Sequence, residues 1–305
     1  MRYGVTSNSA RLVRVAVKSP RVCWENELRV TAEWQPLNYT GMPDLELAIA
    51  QHDGLVGLLR DSGIAIDELP AHASTGLDSV YVHDPVVMSG RGAVLCRMGK
   101  PARRGEDEAF GEWFAREGVP VIGHIQAPGT LEGGDVVWLD SRTVAVGEGY
   151  RSNASGIAQL RAILGDAVDS VISVPLPHWN GVADVLHLMS ILSPVDTKAA
   201  VVYSRLMSVP FRQYLVERGW SLIEVPDEEY DLMGCNVLPV APADAIMLEG
   251  CPITRSRMEA AGIRVRTYAG SEVSVKGGGG PTCLTRPIFR KEMGGLGVRD
   301  QGVRR

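Results

Sequence analysis

The chain has 305 residues, of which 45% are hydrophobic and 22% charged, and its formal net charge is −5. This composition allows a substantial buried core in one large domain or two ordinary ones. The acidic balance, with arginines scattered rather than interleaved with aromatic residues, argues against nucleic acid as a partner.

The N-terminal segment does not have the features of a secretory signal. Residues 1–24, MRYGVTSNSARLVRVAVKSPRVCW, contain no uninterrupted apolar core, and no later stretch approaches the length of a membrane helix. We therefore expect a cytoplasmic protein with no membrane partner. The five cysteines form no CxxC pair, which argues against a disulfide framework and a zinc knuckle. Four are predicted to be small buried hydrophobic residues, namely Cys23, Cys96, Cys235 and Cys251.

Five segments along the chain share one pattern, in which a helical segment ends at a glycine and a β-rich run follows. They are LVGLLRDSG then IAI, WFAREG then VPVIGHI, LRAILG then AVDSVISV, YLVERG then WSLIEV, and SRMEAAG then IRVRTYA. The glycines lie 55, 47, 54 and 43 residues apart, at Gly63, Gly118, Gly165, Gly219 and Gly262. These spacings indicate a repeat with a period near fifty residues.

Each β-rich run leads to a polar residue 17 to 22 positions beyond the glycine: Asp84, Asp135, His187, Asn236 and Cys283. Apolar alternation around a turn predicts hairpins in VVMSGRGAVL, VVWLDSRTVAV and NVLPVAPADAIML. Any α/β protein alternates helices and strands, so a period near fifty residues is weak evidence for a repeat by itself. The polar residues, however, lie at similar distances beyond their glycines, and this regularity favours a true repeat. Each repeat then consists of two strands, a helix and a strand. Five such units closed around an axis would bring the polar groups together.

A run of four glycines precedes the last of these residues, in KGGGGPTC. Such a run is often a flexible linker, but here the flanking residues are in phase with the repeat. Glycine permits positive φ and close backbone approach, so we interpret the run as a tight loop that delivers Cys283 to a central site. A Rossmann motif is excluded because no third glycine stands in GxGxxG register, and a Walker loop because no Gly-Lys-Ser/Thr follows.

The segments LDSVYVHDPVV, LEGGDVV, GYRSN, LHLMS and GGGGPTCLTRP, in this order, resemble the guanidino-group-modifying superfamily. That superfamily includes dimethylarginine dimethylaminohydrolases, arginine deiminases, arginine dihydrolases and arginine:glycine amidinotransferases. The resemblance covers roughly residues 75–290 and implies the pentein fold, a five-bladed α/β propeller of ββαβ repeats. We expect a single catalytic domain over residues 1–305, with roughly 291–305 as a C-terminal tail.

The chemistry of a guanidinium explains why these residue types are needed. Its central carbon is a poor electrophile, so a strong nucleophile such as cysteine is required, and the thiolate must be favoured by nearby positive charge. The resemblance implies that Cys283 attacks this carbon. It also implies that His187 protonates the leaving amine and then activates the water that hydrolyses the thiouronium intermediate. Alone, His187 could equally be a core histidine, but its phase with Cys283 favours the catalytic role.

The acidic residues are assigned by the same resemblance. Asp84 and Glu132 match the carboxylates that hold the guanidinium, with Glu132 counted among the catalytic residues, and Asp78 matches a further acidic ligand. Asp135 is expected to give structural support. An isolated aspartate is more often solvated in a loop, whereas Glu132 in LEGGD lies beside a tight glycine turn.

Two arginines match positions that bind the α-carboxylate of an arginine-like substrate. Arg151, in GYRSN, is the first, where a forked guanidinium provides bidentate geometry as well as charge. Arg103, in GKPARRGE, is the second and less secure match, because Arg104 is adjacent. Either residue could instead be an ordinary solvated arginine.

The sequence departs from the superfamily pattern at two positions, of which Met189 indicates the subclass and His83 bears on the exact substrate. Arginine deiminases and amidinotransferases carry an aspartate two residues after the histidine, whereas this chain has Met189. Dimethylarginine hydrolases often carry glutamate where this chain has His83. We predict hydrolysis of an Nω-methylated arginine to citrulline and an amine. The alternatives are an arginine deiminase or dihydrolase, an amidinotransferase, and a binder of guanidino compounds without turnover, against which Cys283 and His187 argue.

The predicted chemistry requires no cofactor, and no dedicated metal-ligand spacing is visible. The expected partner is a small guanidino compound. Assembly into a homo-oligomer is left open by the sequence.

Overall fold

The computed structural model describes residues 2–292, which form five three-stranded sheets arranged as the blades of an α/β propeller. Within these residues the strands are β1 (Arg11–Val17), β2 (Ala65–Glu68), β3 (Val86–Ser89), β4 (Gly92–Leu95), β5 (Val121–His124), β6 (Val136–Asp140), β7 (Thr143–Glu148), β8 (Ser170–Pro175), β9 (Leu192–Asp196), β10 (Ala199–Val202), β11 (Ser221–Glu224), β12 (Leu238–Ala241), β13 (Asp244–Leu248), β14 (Arg264–Tyr268) and β15 (Arg286–Lys291).

The α-helices lie between strands. In the same range they are α1 (Pro20–Cys23), α2 (Glu27–Glu33), α3 (Leu45–Asp61), α4 (Glu106–Glu117), α5 (Ala154–Leu164), α6 (Val209–Glu217), α7 (Asp227–Tyr230) and α8 (Pro252–Ala260). Of these, α3, α4, α5, α6 and α8 belong to the crossovers within blades, whereas α7 connects two blades. None of the helices among the described residues is long and apolar enough to cross a bilayer.

Four blades have the predicted ββαβ order. In each, two consecutive strands pair antiparallel, and a helix then returns the chain so that the third strand pairs parallel to the second. Parallel neighbours need such a crossover, which is why each hairpin is followed by a helix. The blades are β3-β4-β5 with α4, β6-β7-β8 with α5, β9-β10-β11 with α6, and β12-β13-β14 with α8. The three predicted hairpins are confirmed.

The remaining blade joins the two ends of the chain. Strand β15 pairs antiparallel to β1, with Ala16 opposite Arg286, and β1 pairs parallel to β2 after the helical segment that contains α3. This pairing closes the ring, because the last strand completes the blade that the first strand begins. Lys291 belongs to β15 rather than to a tail. Of the rest of the predicted tail, Glu292 is described and accepts a hydrogen bond from Thr6, whereas residues 293–305 lie outside the described residues.

The five glycines of the repeat have the conformation expected at helix ends. Their φ values are positive, between +52° and +84°, which glycine adopts without strain, and each glycine turns the chain out of its helix toward the next strand. The residues concerned are Gly63, Gly118, Gly165, Gly219 and Gly262. The sequence pattern that defined the repeat therefore has a direct backbone cause.

Apolar residues are buried in three clusters, which together connect neighbouring blades around the ring. One cluster includes Phe110, Trp113 and Phe114 of α4, whose rings pack against one another 5.2–6.2 Å apart. The four cysteines predicted to be core residues are buried and free, as expected: Cys23, Cys96, Cys235 and Cys251. Packing between blades fixes the loops that precede each hairpin.

Candidate active site

The five polar residues in common phase stand just before the first strand of their blades, and their loops meet near the axis of the propeller. Asp84 precedes β3, Asp135 precedes β6, and Cys283 precedes β15. Three of the five groups line one cavity of about 90 Å³: His187, Asn236 and Cys283. Asp84 lies against His187, with Oδ1 3.8 Å from Nδ1, so the convergence expected from the repeat is present.

The glycine run holds Cys283 on a loop pressed against neighbouring side chains. At Gly279 a Cβ atom would lie 2.4 Å from the ring of Tyr81, so only glycine fits this close approach. Cys283 is half-buried, and its Sγ accepts a hydrogen bond from Nδ2 of Asn236 at 3.1 Å. Asn236 Oδ1 also accepts from the backbone N–H of Thr282 at 3.0 Å, which fixes the amide orientation. The linker interpretation of the glycine run is therefore wrong.

With no cation beside it, Cys283 is a thiol rather than a thiolate at neutral pH. Burial raises its pKa to about 12, and the negative charge of Asp84 acts in the same direction. The hydrogen bond from Asn236 opposes these effects but does not outweigh them. Positive charge brought into the cavity would lower this pKa and favour the nucleophilic form.

His187 is surrounded by carboxylates. Its Nε2 contacts Oε2 of Glu132 at 2.7 Å. Burial alone would lower the pKa of His187, but the charges of Asp84 and Asp135 and the contact with Glu132 raise it to about 9. At neutral pH the imidazole is therefore charged and can donate a proton.

Glu132 is fully buried and is the acceptor for several donors. Its Oε2 accepts from Arg151 Nη1 at 3.1 Å as well as from His187, and its Oε1 accepts the backbone N–H of Lys100 at 3.0 Å. Burial would raise the pKa of this carboxyl, but His187 and Arg151 together lower it well below its usual range. Glu132 is thus a fixed negative charge.

Asp84 is held from behind by a buried arginine. Arg103 Nη1 contacts Asp84 Oδ2 at 2.5 Å, while its Nε and Nη2 form a bidentate pair with Glu106 at 3.0 and 2.8 Å, and Nη2 also donates to the carbonyl of Tyr81. Burial would raise the pKa of Asp84, but His187 and Arg103 lower it. The four bonds leave Arg103 little capacity for a substrate carboxylate. The adjacent Arg104 is exposed.

The other two residues predicted to bind substrate are also buried. Asp78 Oδ2 forms an ion pair with Lys100 Nζ at 2.6 Å, and Lys100 also donates to the carbonyl of Leu37. Arg151 is 5% exposed, and the hydrogen bond recorded for its guanidinium is the one to Glu132. The structure thus brings together Asp84, Glu132, His187, Arg103 and Arg151, whereas Asp78 is joined to this group through Lys100.

Asp135 supports the site from beneath. Its Oδ1 accepts the backbone N–H of Leu188 at 3.0 Å, and its Oδ2 accepts from Ser152 Oγ at 2.6 Å. Ser152 Oγ in turn accepts the backbone N–H of Glu132 at 3.0 Å. Burial raises the pKa of Asp135 to about 6. This chain of contacts links the loops that carry Glu132 and His187.

Both residues that departed from the superfamily pattern line the cavity. Met189 is 4% exposed and offers a thioether where a carboxylate would stand in the deiminases. His83 contacts the carbonyl of Thr285 through Nδ1 at 2.8 Å, which makes Nδ1 the protonated nitrogen, and its Nε2 has no partner among the described residues. Burial lowers the pKa of His83 to about 3, so this side chain is neutral.

Three groups of the site were not assigned from the sequence. Glu106 follows Arg103 by only three positions, but Gly105 between them has a φ of +100° and the two residues do not share a helix, so no helical spacing indicates their pairing. Asn236 was in phase with the other polar residues but received no role. Lys100 gave no local signal, since its pairing with Asp78 depends on the meeting of two loops.

Asp84, Glu132 and His187 offer ligand atoms that all lie within 4.8 Å of one another. Each of these atoms already takes part in the ion-pair network described above, and His187 is protonated. Two buried carboxylates beside a histidine suit a small cation, and a guanidinium is such a cation.

A five-bladed α/β propeller with a cysteine, a histidine and buried carboxylates at its centre defines the guanidino-group-modifying, or pentein, class of enzymes. The comparisons with known proteins are more specific. The family described as N,N dimethylarginine dimethylhydrolase, eukaryotic, matches residues 38–290. The chain belongs to the dimethylarginine dimethylaminohydrolase family, whose members hydrolyse carbon–nitrogen bonds of amidines.

Individual relatives agree with this assignment. An N(G),N(G)-dimethylarginine dimethylaminohydrolase of Pseudomonas aeruginosa is 32% identical over 251 residues, or 81% of this chain and 91% of the relative. A structure of the enzyme from that organism complexed with citrulline has a TM-score of 0.73 at 26% identity, covering 91% of this chain and 100% of that one. An arginine dihydrolase domain from cyanobacteria, with a TM-score of 0.77 at 21% identity over 91% of this chain and 98% of its own, shares the fold.

Proposed function

We propose that the protein hydrolyses an Nω-methylated arginine to citrulline and a methylated amine through a covalent thiouronium on Cys283. The observation that carries the proposal is the pairing of Cys283 with a protonated His187 in one cavity, beside the buried carboxylates of Asp84 and Glu132. Carboxylates attract a guanidinium, the thiol supplies a nucleophile, and the imidazolium supplies the proton that the leaving amine needs.

The first half of the reaction begins with substrate binding. The guanidinium charge lowers the pKa of the Cys283 thiol, so the thiol proton passes to solvent. The Sγ thiolate then forms a bond to the central carbon of the guanidinium as the carbon–nitrogen π electrons move onto nitrogen. The bond from that carbon to the substituted nitrogen then breaks as His187 transfers its proton to the departing amine. The product of this half is a thiouronium on Cys283 and a free amine.

The second half is hydrolysis. His187 is now neutral and removes a proton from water as the oxygen bonds to the thiouronium carbon. The carbon–sulfur bond then breaks with its electron pair on Sγ, and the hydroxyl proton of the intermediate passes to the thiolate. This step leaves a ureido group on the product and returns Cys283 to the thiol, with His187 protonated again. The raised pKa of His187 suits the first half, and the fixed charges of Asp84 and Glu132 stabilise the cationic forms throughout.

The residue roles follow from their contacts. Asp84 and Glu132 hold the guanidinium. Asp78 also binds the guanidinium once Lys100 shares or releases the Asp78 carboxylate. Arg151 retains donors for the substrate α-carboxylate. Arg103 was predicted as a second carboxylate ligand, but its four bonds to Asp84, Glu106 and Tyr81 support a role in positioning Asp84 instead.

Met189 favours the methylated substrate over arginine itself. The deiminase alternative uses a carboxylate at this position to bind an unsubstituted nitrogen, whereas a thioether packs against methyl groups.

Amidino transfer to an amine and binding without turnover remain alternatives that one assay separates. Residues 1–305 are proposed to act as a single catalytic domain in the cytoplasm.

A substrate panel tests the proposal. Purified protein is incubated with arginine, monomethylarginine, asymmetric dimethylarginine and guanidino acids, and both the ureido product and the released amine are measured. We expect citrulline with methylamine or dimethylamine. Ammonia released from arginine as the preferred reaction would establish the deiminase or dihydrolase, transfer to an added amine would establish the amidinotransferase, and tight binding with no product would establish the binder.

A further inference from the structure

A second cavity lies outside the reaction site, between the loop that follows β1 and helix α4. It has a volume of about 420 Å³, compared with about 90 Å³ for the cavity over Cys283. This volume falls in the range of ~300–1,000 Å³ typical of small-molecule sites. Its lining is distinct from that of the cavity over Cys283, so the reaction described above does not account for it.

The cavity contains a buried ammonium group. Lys18, which directly follows β1, is 3% exposed, and the hydrogen bond recorded for its Nζ is to Thr75 Oγ1 at 2.9 Å. An ammonium has three N–H donors, so two are left for an acceptor in the cavity. Burial lowers the pKa of Lys18, and the charge of Glu106 opposes this effect. A buried cation with unused donors favours an anion beside it.

The rest of the lining is largely apolar. Phe110 and Trp113 of α4 present aromatic rings, and Leu69 and Pro70 provide the facing wall. Arg116 lies exposed at the edge. Thr75, Ser79 and Glu106 also line the cavity, but their polar atoms are engaged with Lys18 and the carbonyl of His72, with the carbonyl of Gly76, and with Arg103, respectively. Apolar walls with one buried cation that keeps unused donors select a ligand with a hydrocarbon body and a single charged end.

The nearby carboxylates limit the charge of the ligand. Glu106 lines the cavity, but its oxygens are held by Arg103, and Glu112 lies 3.6 Å from His72 at the edge. A multiply charged anion such as phosphate would be repelled by these groups and would leave the aromatic walls uncovered. A cation would place its charge next to Lys18.

We propose that this cavity is a binding site for a small organic monocarboxylate, whose carboxylate accepts hydrogen bonds from Lys18 and whose hydrocarbon part packs on Phe110 and Trp113. The site is separate from the reaction cavity, so the proposal does not depend on which guanidino compound is hydrolysed.

The test uses benzoate and hexanoate as probes, titrated into the full chain by calorimetry with citrulline present to occupy the reaction site. Binding is followed in parallel through the indole NMR signals, with Trp113 assigned from Trp113→Phe. We expect saturable binding at about millimolar concentration, a shift confined to the Trp113 signal, and at least tenfold weaker binding of benzyl alcohol, benzylamine and inorganic phosphate.

Two variants test separately the charge of Lys18 and the free volume of the cavity. Lys18→Met should weaken benzoate binding by about 10- to 100-fold, the usual value of a charge-assisted hydrogen bond, whereas the exposed Lys198→Met, whose lysine lies over the Trp220 ring, should bind as the parent does. Ala109→Phe fills the cavity without altering its charge and should abolish binding even if Lys18→Met does not fold. Undiminished binding in Ala109→Phe or a folded Lys18→Met, equal affinity for benzyl alcohol, preference for benzylamine or phosphate, or no saturable binding would each overturn the proposal.

Discussion

The carboxylate side of the reaction site and the loop that carries Cys283 are built in opposite ways. Asp84 and Glu132 each lie against a buried arginine and the charged His187, and their pKa values are lowered so that they stay ionised. Cys283 is half-buried, receives one side-chain hydrogen bond, and has a pKa raised to about 12. The carboxylates are ionised before a cationic substrate arrives, whereas the thiol becomes reactive only when the charge of the substrate is present.

This difference connects binding with catalysis. A permanently ionised thiolate in the cavity would be exposed to alkylation and oxidation, whereas a thiol is protected until a guanidinium enters. The carboxylates can be fixed in advance because their charge is needed for recognition as well as for reaction. Because the carboxylates and the thiol have these different tasks, mutations of the two should have different effects.

The largest expected effect comes from removing the nucleophile. Cys283→Ser should abolish turnover, because a serine hydroxyl is not ionised by the nearby positive charge as a thiol is. Intact-mass spectrometry during turnover of the parent should show a substrate adduct on Cys283. Cys251→Ala is the control, since this buried cysteine lies outside the cavity, and should retain activity. Steady-state activity of Cys283→Ser close to that of the parent would contradict the mechanism.

The next largest effect concerns the proton carrier. His187→Ala should slow turnover by about 10² to 10⁴ because one imidazole serves both halves of the reaction. With S-methyl-L-thiocitrulline, whose thiol leaving group needs less proton assistance than an amine, Cys283 should still form the adduct, and the adduct should persist. Single-turnover mass spectrometry measures its formation and decay. Decay at the parental rate would remove His187 from the hydrolytic half.

The fixed side of the site is tested by Arg103→Met. The change leaves Asp84 and Glu106 buried without their cation, and breaking a buried pair in this way costs about 3–5 kcal/mol in the free energy of unfolding. Urea denaturation provides the measurement. Arg104→Met is a matched control at an adjacent, exposed position and should lie within about 0.5 kcal/mol of the parent. If the two variants are equally stable, the ion-pair network does not stabilise the fold.

The same contrast explains how far the sequence could predict the molecule. The ββαβ repeat was predictable because each unit has local signals, a helix-ending glycine and an alternating hairpin. Closure of the ring by β15 and β1 was not, because the pairing of the two chain ends leaves no local pattern. Cys283 and His187 were predictable from phase and resemblance. The engagement of Arg103, rather than Arg104, depends on which side chain is buried, and only the packed structure determines this.

The smallest effect is expected at the single side-chain hydrogen bond to the nucleophile. Asn236 lowers the pKa of Cys283 against the larger effect of burial, so Asn236→Ala should raise that pKa further and leave less thiolate at any given pH. Loss of a hydrogen bond to a charged acceptor costs about 1.5 kcal/mol, which corresponds to about a tenfold slower alkylation of Cys283 by iodoacetamide near neutral pH. When no substrate is added, the parent should itself react slowly at pH 7, with a rate that rises through pH 10, because the raised pKa keeps its thiol protonated. Asn180→Ala is the control, since Asn180 lines the same cavity but makes no recorded contact with Cys283. Rates are measured by mass spectrometry as a function of pH in both variants. An alkylation profile of the parent that levels off below pH 8, or one left unchanged by Asn236→Ala, would show that the thiol is activated before any substrate binds.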